Sequence, residues 1–167
     1  MTINYPFKPT LSWIAMLLCM LAIYLLSAQP ASISNDNSKG ILTCVVETTV
    51  KLTKSGITEP EKWKLIDSIN SIAREYMHGV VFLVLGLLVQ NAVTQSGTKG
   101  MKAISISLGI CVIYGITDEI HQLFVPGRAF QISDLVMDSI GSIIGIASVW
   151  FLYNRARTAS DIREMSN

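Results

Sequence analysis

The chain has 167 residues, 50% of them apolar, a formal charge of +1 and a mean hydropathy of +0.46. It is too apolar for an ordinary soluble domain and too short for several. The near-neutral charge, with no basic patch interleaved with aromatics, excludes a nucleic-acid binder. Cys19, Cys44 and Cys111 offer neither a disulfide framework nor a zinc spacing.

The first apolar run, residues 11–28, is close to the roughly 17–25 residues that cross a bilayer. A cleaved signal peptide is the rival reading. With only Lys8 before the run, a long apolar stretch and a poor cleavage site at Ser27-Ala28-Gln29-Pro30, an uncleaved span is the expectation. A loop, residues 29–75, follows. Its first part, Ala31 to Gly40, is polar and turn-rich, and Ile41 to Lys54 predicts a short helix stopped at Ser55-Gly56. Thr58-Glu59-Pro60-Glu61 reads as a capping box with proline in the first turn. From it Trp63, Ile66, Ile69, Ala73 and Met77 recur at helical spacing, with Lys62, Lys64 and Asp67 on the wet side. No breaker separates this amphipathic helix from the second span, residues 76–92. The third span is residues 101–124 and the fourth 132–153, followed by a polar tail, 154–167. The expected fold is all-α, a bundle of four transmembrane helices with a helical extracytoplasmic loop between the first two spans, forming a single domain.

Four spans place both termini on one side. Lys8, Lys99 and Lys102 with Arg155, Arg157 and Arg163 make that side cytoplasmic by the positive-inside rule. The basic residues of the long loop count against this, but long loops obey the rule weakly and acids offset them. N-in/C-in is therefore the expectation, with Cys44 outside.

The polar residues inside the spans then collect at the outer rim. Arg74 and His78 open the second span, four residues apart and on one helical face. Asp118, Glu119, His121 and Gln122 end the third, Asp118 lying eight residues, or about 12 Å, before Pro126. Arg128 follows in the loop, and Asp134 and Asp138 open the fourth span. A charged group at the membrane centre costs roughly 2.5–3.5 kcal/mol on insertion scales, so these acids are not packing residues. Their plain alternative is structural: salt-bridge partners of Arg74, His78 and Arg128. Asp134 has a second plain reading, as the acid that suits a helix N-terminus. Cys111, Gly115, Asp118 and Gln122 share one stripe, as do Asp134, Asp138, Gly141 and Gly145. Small residues allow close helix approach in lipid, which predicts that the third and fourth spans pack through Gly115, Gly141 and Gly145.

Arg74-x-x-x-His78, Leu85-Gly86, Asp118-Glu119-x-x-Gln122, Pro126-Gly127-Arg128 and Ser133-Asp134 with Asp138-x-x-Gly141-x-x-x-Gly145 resemble the VanZ family of bacterial membrane proteins. The Ser27-x-Gln29-Pro30 step is similar to that of many members. The chain departs from many relatives in two places. It has Arg74-Glu75 where they have Arg-Lys, and Val81-Phe82 where they have Glu-Tyr, so a carboxylate that could have held His78 is missing.

The family is named for a protein giving low-level resistance to the glycopeptide teicoplanin. The resemblance thus implies the bacterial cytoplasmic membrane and the cell envelope as the setting, and supplies no reaction or catalytic residue. The expected function is a polar pocket that recognises a lipid headgroup or lipid-linked envelope precursor. Arg74 and Arg128 would grip phosphate or carboxylate, while Asp118, Glu119, Asp134 and Asp138 orient them or meet sugar hydroxyls. The alternative is an enzyme on a lipid-linked phosphate or sugar, with His78 or His121 as acid–base and a divalent cation held by carboxylates. No metal or cofactor motif is present, and membrane lipids are the expected partners. A transporter is disfavoured because the cytoplasmic halves of the spans carry almost nothing ionisable.

Overall fold

A computed structural model describes residues 9–53 and 57–165; within these, the side chains of 32–38, 41, 53, 71–75, 157 and 159–165 lie outside the description. Five helices account for nearly all described residues: α1 (Pro9–Ser27), α2 (Ala31–Thr53), α3 (Glu59–Gln95), α4 (Gly100–Gln122) and α5 (Ile132–Met165). Four segments are long and apolar enough to cross a membrane, namely Pro9–Ser27, Tyr76–Gln95, Gly100–Gln122 and Ile132–Ala156. They fall on the four expected spans.

The start of α3 follows its local chemistry. The Glu61 carboxylate accepts from the Thr58 backbone N–H at 3.0 Å and from its hydroxyl at 2.8 Å, satisfying an otherwise orphaned donor of the first turn. These bonds, the backbone one foremost, hold the Glu61 carboxyl below the ordinary glutamate range. From there α3 runs unbroken into the second span, as the absence of a breaker requires.

The remainder of the long loop is more helical than the sequence suggests. Ala31 to Gly40 is the first part of α2, and the turn-rich reading fails there. Pro30 precedes the helix, where its fixed φ suits a start, and Ala31 N–H donates to the Pro126 carbonyl at 3.2 Å. The expected stop at Ser55-Gly56 lies outside the described residues. α2 and the first half of α3 form an antiparallel hairpin, tied by Lys39–Asp67 at 2.7 Å and Lys62–Glu47 at 3.4 Å. Lys62 is therefore turned toward α2 and not toward the wet side; Glu59 and Glu47 raise the pKa of its ammonium. Ile66 is buried and Ile69 half-buried, but Trp63 and Met77 stay exposed, so the apolar stripe is narrower than its spacing implies. The tail is also helical, since α5 continues to Met165; residues 154–165 contain no glycine or proline, and Arg155, Ala156, Arg157 and Ala159 are strong helix formers.

The spans alternate in direction. Trp13 donates to Ser96 at 2.9 Å and Asn91 to Ser12 at 3.1 Å, joining the start of α1 to the end of α3. At the other end Ser27 donates to Asp118 at 2.9 Å, joining the ends of α1 and α4. The bundle's outside is apolar, with Leu17, Leu18, Ile113, Ile143 and Phe151 exposed, while Ser107, Gln90, Gln122 and four carboxylates are buried. That inversion suits a solvent of hydrocarbon.

The glycine strip packs, but with a different partner from the one expected. A Cβ built on Gly141 would collide with the Gly79 carbonyl of α3, and one on Gly145 with the Leu83 carbonyl. A Cβ on Gly86 would lie 2.5 Å from the Ser142 carbonyl. α5 thus lies backbone-to-backbone on α3, while Gly115 of α4 meets side chains of Leu135, Phe82 and Asp138. Spacing assigns glycines to a face but not to a partner, and Gly79, seven residues before Gly86, is the half of the contact that the pattern on α5 cannot reveal.

Gly141→Ala should force α3 and α5 apart and destabilise the bundle by about 1–3 kcal/mol, the usual scale of overpacking. Gly109→Ala, whose Cβ would meet nothing within 4 Å, should instead raise stability by roughly 0.5–1 kcal/mol through helix propensity. Thermal unfolding of the two variants in one detergent checks the contrast.

Candidate functional site

Four carboxylates are buried at one rim: Glu119 is 0% exposed, Asp138 1%, Asp118 3% and Asp134 7%. Two come from the end of α4 and two from the start of α5. The close α3–α5 contact sets His78 beside the latter pair. His78 Nδ1 lies 3.5 Å from Asp138 Oδ1, and its Nε2 lies 3.9 Å from Asp134 Oδ2. The imidazole thus lies between two acids one turn apart on α5.

The adjacent acids of α4 serve different neighbours. Asp118 Oδ2 accepts from Ser27 of α1 at 2.9 Å and from Gln122, one turn on, at 3.0 Å. Glu119 Oε2 accepts the Gln131 backbone N–H at 2.8 Å. Gln131 precedes the first turn of α5, and its carbonyl accepts from the N–H of Asp134 and of Leu135. Its side-chain amide donates to Asp134 Oδ2 at 3.3 Å. Gln131 thus links the α4 acid to the α5 acid. Asp134 sits in the first turn, where its charge favours the helix dipole, and it also faces His78, so both readings of it apply.

Acceptor capacity remains. Asp138 Oδ1 has only the His78 imidazole, at 3.5 Å, while Glu119 Oε1 and Asp138 Oδ2 are buried with no hydrogen-bond partner among the described residues. Buried polar groups normally find one, and each such exception calls for an explanation.

His78, Asp118, Glu119, Gln122, Asp134 and Asp138 are therefore brought together. His121 is not among them. It turns toward α1, its ring 4.6 Å from that of Tyr24, with Nε2 buried and unpartnered. Arg128 sits in the rim loop, its Nε donating to the Gln29 carbonyl at 3.2 Å. That bond closes the corner between α1 and α2. Arg74 lies in α3, but its side chain is outside the described residues. Among the described residues, no group of three or more His, Cys, Asp and Glu side chains is arranged to hold a metal ion.

Sequence reasoning missed Ser27 and Gln131 as site residues. The Ser27-x-Gln29-Pro30 step was the signal for the first; it marks the end of a span that reaches Asp118. Gln131 acts through its backbone and carried no signal.

Fold and site together define a helical membrane protein with buried acids at one rim of a four-span bundle. A model of the VanZ/LLP1 family matches residues 12–153, and the chain belongs to that family. Comparison with curated proteins and with solved structures gives no match.

Ser27→Ala removes one of two donors to a buried carboxylate. The expected loss is about 1.5–3 kcal/mol, the range for hydrogen bonds to charged groups. Ser139→Ala, whose hydroxyl only returns to the Leu135 carbonyl of its own helix, should be close to neutral in the same unfolding measurement.

Proposed function

We propose that the protein sits in the bacterial cytoplasmic membrane with its acidic rim outward. There it recognises the polar headgroup of an envelope lipid or lipid-linked precursor, and thereby alters susceptibility to glycopeptides of the teicoplanin type. The observation that carries this reading is the unused acceptor capacity of Glu119 and Asp138. A carboxylate buried without a donor is costly, and the hydroxyl or amine groups of a headgroup are donors of the right kind. His78 adds a group that can donate or accept. Arg128 in the rim loop, and Arg74 one turn before His78 in the chain, supply cationic groups for a phosphate.

The outward direction rests on charge. Lys99 and Lys102 lie at the opposite rim, as does Arg155 near the end of the fourth span, and short basic segments favour the cytoplasm. Both ends of the four-span bundle then lie inside, and the α2–α3 hairpin outside.

In intact cells an impermeant maleimide should label the exposed Cys44 and leave Thr158→Cys unlabelled. Labelling at 158 but not at 44 would invert the topology. For the site itself, Glu119→Gln keeps shape while removing charge. It should leave the amount and melting temperature of the membrane protein unchanged and abolish its effect in a teicoplanin-susceptibility assay. An abundant, stable and fully active Glu119→Gln protein removes Glu119 from the site. Loss of folded protein assigns it a structural role instead.

A further inference from the structure

Charge at the acidic rim is one-sided. The described charges that act on Glu119 are Asp134, His78 and Asp138, and those that act on Asp138 are His78, Asp118 and Asp134. His78 is the one base among them, and its imidazole already lies between Asp134 and Asp138. Glu119 is 0% exposed, and its Oε1 has no hydrogen-bond partner among the described residues. A buried carboxylate in that state calls for a donor, and for a positive one above all.

The chain itself shows where such a donor enters. Gln131 is exposed in the rim loop, yet it joins the acids of two helices. Its backbone N–H donates to Glu119 Oε2 at 2.8 Å, and its side-chain amide donates to Asp134 Oδ2 at 3.3 Å. The backbone bond is short and anchors the loop. The amide bond is long and its donor neutral, whereas an ionised donor makes a bond roughly twice as strong. A charged group arriving from the surface can therefore displace the amide, and the room it needs is the room the amide gives up.

The acceptors also select the kind of cation. They belong to two residues on two helices, so the planar fork of a guanidinium, which suits the paired oxygens of one carboxylate, fits poorly. A quaternary ammonium brings charge but no N–H. No group of three or more His, Cys, Asp and Glu side chains among the described residues is arranged for a metal ion. An –NH₃⁺ offers three donors on one nitrogen: one for Asp134, one for the unmet Glu119 oxygen and one toward the surface.

We propose that the group recognised at this rim is a primary ammonium, which displaces the Gln131 amide and lies between Asp134 and Glu119. This rests on the reading of the rim as a headgroup site and names the chemistry of the headgroup.

The full chain in phosphatidylglycerol nanodiscs is titrated with phosphatidylethanolamine, with phosphatidylcholine and with soluble ethylammonium chloride. Melting temperature and the lipids retained in mild detergent are read. Phosphatidylethanolamine should raise the melting temperature and be retained about tenfold over phosphatidylcholine, which keeps the charge without the N–H donors. Ethylammonium that reproduces the rise at equal concentration supports the ammonium site and assigns it to a soluble amine. Gln131→Lys puts an ammonium on the chain itself, so it should melt higher in phosphatidylglycerol alone and lose the preference. Gln131→Met removes the competing amide and keeps the backbone donor. It should sharpen the preference, and it carries the test if the lysine variant fails to fold. A preference that a folded Gln131→Lys protein retains overturns the proposal. Preference for phosphatidylglycerol or another hydroxyl headgroup also overturns it and leaves headgroup recognition standing. Equal retention of all three lipids removes both.

Discussion

The backbone contact between α3 and α5 governs where the chemistry lies. With no hydrophobic drive between helices in lipid, tight association requires small residues at the crossing. Gly79 and Gly86 on one helix and Gly141 and Gly145 on the other provide it. His78 immediately precedes the first of these glycines, and Asp138 lies one turn before Gly141. Once the backbones touch, the imidazole is held between Asp134 and Asp138, whatever other interactions form. α4 is placed differently, by side chains packed around Gly115 and by the short turn that joins it to α5. Its acids reach the same rim because it runs antiparallel to both.

The second constraint is the cost of carboxylates away from water. Each of the four acids has a distinct arrangement. Asp118 has two side-chain donors, Glu119 one backbone donor, Asp134 a capping amide and the helix dipole, and Asp138 the flank of an imidazole. The donors come from α1, the rim loop and α3, so the acids tie together elements that lipid alone would not.

The four spans were legible because a stretch of about 20 apolar residues admits few other readings. The convergence of His78, Asp118, Glu119, Gln122, Asp134 and Asp138 was legible too, since four alternating spans place the end of one beside the start of the next. What failed was partner choice. Periodicity put Gly141 and Gly145 on one face, yet nothing in that spacing distinguishes α3 from α4 across it. His121 was grouped with the acids by proximity in sequence, but it lies one residue off the stripe and turns to Tyr24 of α1. The helix over Ala31 to Gly40 was hidden because Ser, Asn, Asp and Gly favour turns locally, whereas what ties its two ends, the Ala31 N–H to the Pro126 carbonyl and Lys39 to Asp67, lies far away in the sequence. Backbone donors such as Gln131 N–H leave no trace in side-chain identity.

The central claim is that unmet acceptors at the rim hold the headgroup of an envelope lipid or precursor. Mass spectrometry of the small molecules retained by the protein, purified from its own membrane in mild detergent, tests it most directly. The account predicts that the wild-type chain retains a species with a hydroxyl- or amine-bearing headgroup. A folded variant carrying both Glu119→Gln and Asp138→Asn should lose it while keeping the same bulk lipids. Identical retained species in the two proteins would contradict it.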